Sequence, residues 1–148
     1  MRVVAAAVLL SLGLSGCSSS SADVSAFVGN WNSGAQQDET CTTGTHTTPL
    51  TGVLPIVAGT AADTIVTQSP NGCNLTWTVS GNTATLQANQ TCTVPGSTGG
   101  TWHATFTSGG LTLNGNQLVL GDAGTAVLDI SGTQVSCTFV QAGTLTKV

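Results

Sequence analysis

The sequence predicts an all-β fold in which an antiparallel meander closes into a small up-and-down β-barrel. Threonine, which with valine suits a pleated surface, occurs 26 times in the 148 residues. The 19 glycines interrupt the chain at short intervals, and after Ala22 no helical period of apolar residues persists beyond one turn. About nine or ten short strands with one apolar face need an interior, and a closed barrel supplies one without open edges. A two-sheet β-sandwich is the alternative.

The first half of the domain has the less regular pattern. Ala26–Asn32 is the expected opening strand, and Glu39–Thr47 and Ala62–Gln68 are further expected strands. Gly52–Val57 is a weaker candidate because Pro55 lacks the N–H that a central strand needs. We therefore expect this segment at a sheet edge or at a bulge.

In the second half, apolar residues alternate with polar ones on both sides of each expected turn. A tight turn at Gly81-Asn82 sets Trp77 opposite Leu86 and places the apolar side chains of this hairpin on one face. The same test predicts four more turns: Ser108–Gly110, Asn114–Asn116, Gly121–Gly124 and Ser131-Gly132. Successive hairpins that share an apolar face form a meander.

The five cysteines divide into Cys17, near the N-terminus, and four in the domain. In an exported chain these four predict two disulfide bonds, for which three pairings are possible. Cys73 and Cys92 lie on the same face of the Leu75–Ala88 hairpin. This placement favours a Cys73–Cys92 bond and leaves Cys41 to pair with Cys137.

The N-terminal segment has the layout of a secretory signal peptide. Arg2 precedes an apolar run, Val3–Leu14, that is interrupted only by Ser11 and Gly13. This run is shorter than the roughly 20 residues of a membrane-spanning helix. We expect residues 1–16 to form a detached helix, residues 17–25 a serine-rich tether, and residues 26–148 the barrel.

The motif Leu14-Ser15-Gly16-Cys17 resembles the lipobox of bacterial lipoproteins. The resemblance implies cleavage before Cys17 and attachment of fatty-acyl chains to its thiol and new amino group. In that family the next residue influences sorting, and aspartate there retains a protein at the inner membrane. Ser18 therefore implies the outer membrane, if the cell has one, with the chain lipid-anchored in the cell envelope.

The motif Gly29-Asn30-Trp31 resembles the Gly-x-Trp signature that opens lipocalins and related small barrels. The resemblance implies that Trp31 closes one end of the barrel, while the glycine lets the backbone pass close by. In lipocalins an arginine packs over this tryptophan, and the present chain has no arginine after Arg2.

The charge balance excludes several classes of partner. After Gly16 the only basic residue is Lys147, against six acidic residues. Nucleic-acid binding needs several contacts from lysine or arginine to phosphates, so we expect no nucleic-acid partner. Electrostatic adhesion to anionic lipid is excluded on the same ground, and the expected membrane link is the covalent lipid on Cys17.

No catalytic constellation is found in the sequence. His46 and His103 are expected in solvent, and Asp38 and Glu39 point to opposite faces of an extended strand. Neither a nucleophile elbow nor a phosphate-binding glycine loop is present. We expect a protein without enzymatic activity, cofactor or metal.

The aromatic residues leave one binding hypothesis open. Trp31, Trp77, Trp102 and Phe106 are expected on the inner face, where they would line any pocket for a small apolar ligand. The favoured expectation is a filled interior, because many leucines compete for the same space. The sequence thus predicts an envelope lipoprotein whose barrel binds a protein or a glycan. A carrier of a small apolar ligand and an inhibitor of a secreted lysozyme or protease are the alternatives.

Overall fold

The computed structural model of the chain describes residues 23–95 and 100–148. The expected signal helix, Cys17 and the serine run lie outside these residues. Within them the chain forms one short helix and nine antiparallel strands. Their bounds are α1 Val24–Phe27, β1 Gly29–Cys41, β2 Gly44–Ala58, β3 Thr64–Gln68, β4 Asn74–Ser80, β5 Thr83–Leu86, β6 Gln90–Pro95, β7 Thr101–Asn114, β8 Gln117–Ile130 and β9 Thr133–Lys147.

The strands form a single sheet that closes into a ring, as the sequence predicts. The order of neighbours is β5-β4-β3-β2-β1-β9-β8-β7-β6, and β5 also pairs with β7 at Gly110–Thr112. Strand β6 pairs with Thr101–Phe106 of the same strand β7, so β5 and β6 lie end to end along it. The nine described strands therefore occupy eight positions around the ring.

The strands differ in length, and this difference makes the two ends of the barrel unequal. Strands β1, β2, β7, β8 and β9 have 13 to 15 residues, whereas β3, β4 and β5 have 4 to 7. Strand β2 meets β3 only at Ile56–Ala58, which leaves its edge over Gly44–Pro55 without a described neighbour. Pro55 lies on this edge, as predicted. The barrel is thus closed at one end and is a trough at the other.

Two of the predicted turns, Ser108–Gly110 and Gly121–Gly124, are wrong. Both segments lie inside the continuous strands β7 and β8. Their glycines provide room for neighbouring side chains: a Cβ at Gly109 would lie 2.8 Å from the Cβ of Asp122, and one at Gly124 would lie 2.6 Å from the Phe139 ring. A bulge between Phe106 and Ser108 shifts the alternation of inward and outward side chains within β7. The predicted turn at Ser108–Gly110 was inferred from this shift.

Two boundaries in the first half also differ from the prediction. The segment Ala26–Asn32 is helical up to Phe27 and becomes a strand at Gly29. The expected strand Glu39–Thr47 is divided by a turn at Thr42-Thr43, because Cys41 pairs directly with Gly44 in a hairpin. Trp77 does lie opposite Leu86, and the turns at Asn114–Asn116 and Ser131-Gly132 are confirmed.

The closed end is built around Trp31. Its ring is fully buried, and its Nε1 donates a hydrogen bond of 2.8 Å to the carbonyl oxygen of Phe27 in α1. The ammonium group of Lys147, at the end of β9, lies 5.3 Å from the centre of the Trp31 ring and donates to the carbonyl oxygen of Ala26. The first helix and the last strand are thereby joined over one side chain.

Two disulfide bonds are present among the described residues, with the pairing favoured by the sequence. Cys41–Cys137 joins β1 to β9, and Cys73–Cys92 joins the residue directly before β4 to β6. The first closes a separation of 96 residues and the second a separation of 19.

Loss of the long-range bond should destabilise the protein more than loss of the local one. Chain-entropy estimates are about 4.7 kcal/mol for Cys41–Cys137 and about 3 kcal/mol for Cys73–Cys92. Urea unfolding should therefore give a lower free energy of unfolding for Cys41→Ser/Cys137→Ser than for Cys73→Ser/Cys92→Ser. An equal or reversed order would contradict the entropic account.

Candidate ligand-binding cavity

A cavity of about 400 Å³ lies inside the barrel. Its walls carry four aromatic side chains: Trp77, Trp102, Phe106 and Phe139. The interior is therefore incompletely filled: the expectation of a filled interior holds toward the closed end, and space is left at the other end. Toward the closed end Leu111, Leu118 and Leu145 are fully buried. The open space is lined by the end of β3 and the first half of β4.

The aromatic side chains come from three different strands, and Phe139 contacts both Phe106 and Trp102. Phe139 on β9 meets Phe106 on β7 edge to face, with 5.0 Å between ring centres, and its ring centre lies 6.2 Å from that of Trp102. Gly124 on β8 lies between β7 and β9 and leaves room for the Phe139 ring. Trp77 on β4 donates to Thr67 Oγ1 at 3.2 Å. The rings form a fixed apolar wall.

Three of the four predicted pocket residues line the cavity. Trp77, Trp102 and Phe106 do so, whereas Trp31 packs at the closed end and does not. The disulfide Cys73–Cys92 also forms part of the wall. The bond Cys41–Cys137 is not part of it, and Cys17 lies outside the described residues.

The mouth of the cavity is marked by exposed residues among those that line it. They come from the free edge of β2, from the β3–β4 connection and from the end of β6: Thr48, Thr51, Val53, Pro70, Asn71 and Pro95. These are the segments that the short strands leave apart. A small molecule would reach the aromatic wall between β2 and β6.

A row of polar side chains crosses the inner wall opposite the mouth. Asp122 on β8 is paired with Gln141 on β9, and Gln141 with Gln37 on β1. The Gln141 Nε2 atom donates to Gln37 Oε1 at 2.5 Å, and Gln37 Nε2 donates to the Glu39 carboxylate. All four residues line the cavity. The wall therefore has an ordered polar line beside the aromatic surface.

Asp122 is the buried acid of this row. Only 5% of the side chain is exposed, and its Oδ1 atom has no hydrogen-bond partner among the described residues. Burial raises the pKa of the Asp122 carboxyl from 3.8 to about 7, because desolvation penalises the charged form. The carboxyl can thus change its charge near neutral pH.

Sequence reasoning missed Asp122, although a signal for it is present. Leu118 and Leu120 share an alternation phase with Ala126 and Leu128, and Asp122 stands in the same phase between them. The predicted turn at Gly121–Gly124 hid this continuity. A continuous strand would have placed the acid on the apolar face at once.

The other residues singled out by the sequence do not form a reactive group. His46 and His103 are both exposed, and His103 contacts Thr93 on the neighbouring strand. Asp38 faces solvent while Glu39 faces inward, as expected for neighbours on a strand. Over residues 23–95 and 100–148, His, Cys, Asp and Glu form no group of three or more able to hold a metal ion.

The same described ranges contain no helix with the length and apolar character needed to cross a membrane. No family model, curated protein sequence or solved structure matches this chain. The chemistry of the cavity is therefore argued from its own residues. The residues that line it are aromatic side chains, a hydrogen-bonded pair of amides and the buried acid Asp122.

Replacement of Asp122 should change how stability depends on pH. The pKa of Asp122 in the folded state lies above its unfolded value. The Asp122 carboxyl therefore contributes fully to the free energy of unfolding below about pH 4, and this contribution is lost as the pH rises through about 7. The shift corresponds to at most about 4 kcal/mol. Asp122→Asn should flatten this decline, and urea unfolding at about pH 5 and about pH 8 measures it.

The exposed Asp63 supplies the control for this measurement. Asp63→Asn removes the same formal charge and should retain the wild-type decline in stability between the two pH values. If Asp122→Asn also retained it, burial of this carboxyl would not be the cause.

Proposed function

We propose that the protein is an exported, lipid-anchored envelope protein whose barrel binds a small, largely apolar molecule. The observation that carries the proposal is the cavity of about 400 Å³ lined by Trp77, Trp102 and Phe106. Ligand pockets typically have about 300–1,000 Å³ and combine apolar walls with a few polar groups. The cavity meets both conditions.

The wall chemistry favours binding over chemical conversion. A ligand between the rings would gain about 25 cal/mol for each Å² of apolar surface removed from water. The polar line of Gln37, Gln141 and Asp122 would fix its orientation by hydrogen bonds. Carriage of a small ligand is thus the best-supported of the three sequence hypotheses. A protein or glycan partner and inhibition of a secreted hydrolase stay predictions.

The geometry of the closed end supports a lipocalin-like architecture. Trp31 of the Gly-x-Trp motif is buried beneath the helix, and Lys147 supplies a cation over its ring. In lipocalins an arginine packs over the corresponding tryptophan. A barrel with one closed end and one open end suits a molecule that enters and leaves by the same mouth.

The envelope location is supported by the Leu14-Ser15-Gly16-Cys17 motif and by the two disulfide bonds. Disulfides of this kind persist in oxidising compartments. A lipid on Cys17 would hold the barrel at the membrane surface, and the serine run would separate it from the bilayer.

A probe experiment tests the binding function. The chain from Ser18 onward, with both disulfides formed, should enhance the fluorescence of the apolar dye N-phenyl-1-naphthylamine. Ala104 is buried in the cavity wall, so Ala104→Trp should fill space and weaken dye binding by about tenfold, or 1.4 kcal/mol. Leu50→Trp, from the opposite wall, should act in the same direction.

Val119→Trp is the matched control because Val119 is 48% exposed on the outer face of β8. This variant should bind the dye as the wild type does, and circular dichroism establishes that all three variants are folded. Absence of dye binding to the wild type, or equal binding by all variants, would contradict the cavity as the binding site.

The proposed lipid attachment and membrane location are tested by substitution of Cys17. In the native host, Cys17→Ser should abolish incorporation of radiolabelled palmitate and should move the protein from the membrane fraction to the soluble fraction. Cys73→Ser, which leaves the lipobox intact, should retain the label. Continued palmitate labelling of the Cys17 variant would overturn the lipobox interpretation.

A further inference from the structure

The ionisable side chains that the described residues contribute to the cavity wall are all acidic. Asp122 and Glu39 carry the only ionisable side chains among the described residues that line it, since the two lining cysteines are disulfide-bonded. The one described lysine, Lys147, lies at the closed end over Trp31. An anionic ligand would thus find no described cation in the cavity to pair with its charge.

The position of Asp122 is built into the sheet. Its cross-strand neighbours are Gly109 on β7 and Gln141 on β9, and a Cβ at Gly109 would lie 2.8 Å from the Asp122 Cβ. Glycine thus leaves space for an acid in the middle of the wall. The Gln141 amide is already engaged with Gln37, and Asp122 Oδ1 has no hydrogen bond within the described chain.

An unpaired buried carboxyl oxygen is costly for a folded protein and is uncommon in native structures. A ligand that brings a hydrogen-bond donor to the Asp122 carboxyl would lower this cost. A charged N–H donor would lower it further, because it also favours the ionised carboxylate. The ring of Trp102, which is partly exposed and lines the same cavity, is a surface on which an organic cation is further stabilised.

We propose that the cavity is selective for a small amphiphilic amine, whose ammonium group pairs with the Asp122 carboxylate while its apolar body lies against Trp77, Trp102 and Phe106. This proposal rests on the proposed binding function and names its ligand class. A fatty acid or another apolar anion is excluded as the preferred ligand, because its carboxylate would face Asp122 and Glu39.

The groups around Asp122 allow its titration to be separated from others. Gly109 on β7, Gln141 on β9 and Gln37 on β1 carry no charge, and Trp77 on β4 packs against Gly109. Glu39, which accepts from Gln37, is the other acid facing this space in the described residues. Ammonium selectivity should therefore increase from about pH 5.5 to about pH 8.5, as the Asp122 carboxyl, with a pKa of about 7, loses its proton.

The test compares three probes of equal chain length: octylamine, 1-octanol and octanoate. Each competes with N-phenyl-1-naphthylamine for the disulfide-bonded chain from Ser18 onward, at both pH values. At the higher pH octylamine should bind about tenfold or more tightly than 1-octanol, as expected for a hydrogen bond between charged groups. Octanoate should bind more weakly than 1-octanol.

Variants assign the selectivity to Asp122. Asp122→Asn should lower the octylamine-to-octanol ratio to about one at both pH values and leave 1-octanol binding unchanged within about threefold. Asp63→Asn, which removes an exposed charge outside the cavity, should retain the wild-type ratio. A ratio lost in Glu39→Gln and retained in Asp122→Asn would overturn the assignment.

The outcomes distinguish the two levels of proposal. If none of the three probes displaces the dye and the dye itself does not bind, the binding function fails. If 1-octanol displaces the dye and octylamine is no better, or octanoate is the tightest ligand, the amine selectivity alone is wrong.

Discussion

The pairing of β5 with β7 at Gly110–Thr112 is the contact on which the rest of the structure depends. It joins the two ends of a meander that would otherwise have two open edges. Strand β5 has only four residues. The chain then continues as β6, which pairs with Thr101–Phe106 of the same strand β7. Closure is therefore complete at the Trp31 end only. The barrel has an interior because the sheet closes, and it has a mouth because the closing strands are short.

The shape of the interior is set by glycines that make room for larger groups. Gly109 leaves space for Asp122 and Trp77, and Gly124 leaves space for Phe139. Each is in a continuous strand, where glycine loses packing and costs chain entropy. Both glycines lie where a larger residue would collide with the aromatic wall or with the buried acid. The glycines thus connect the packing of the sheet directly to the geometry of the cavity.

Two charged residues lie at different places in the barrel: Lys147 at the closed end and Asp122 in the cavity wall. At the closed end, Lys147 satisfies a backbone carbonyl and covers an aromatic ring. In the cavity, Asp122 is buried without a described partner for its Oδ1 atom. The unpartnered acid thus lies in the wall of the proposed binding site, and the lysine lies away from it. The two disulfides, on the other side of the barrel from Trp31, tie down the strands that frame the open end.

The sequence alone predicted the class of fold, the inward-facing aromatic residues and, as the favoured alternative, the disulfide pairing. These follow from local alternation, because a strand places every second side chain on the same face. It did not determine the lengths of β7 and β8, since a glycine that turns the chain and a glycine that makes room look alike in one sequence. Asp122 was hidden by this ambiguity, although its phase with Leu120 and Ala126 was visible. The cavity was decided by tertiary structure only. Its volume depends on where the ring closes and on how far the short strands reach, and both depend on contacts between residues distant in the chain.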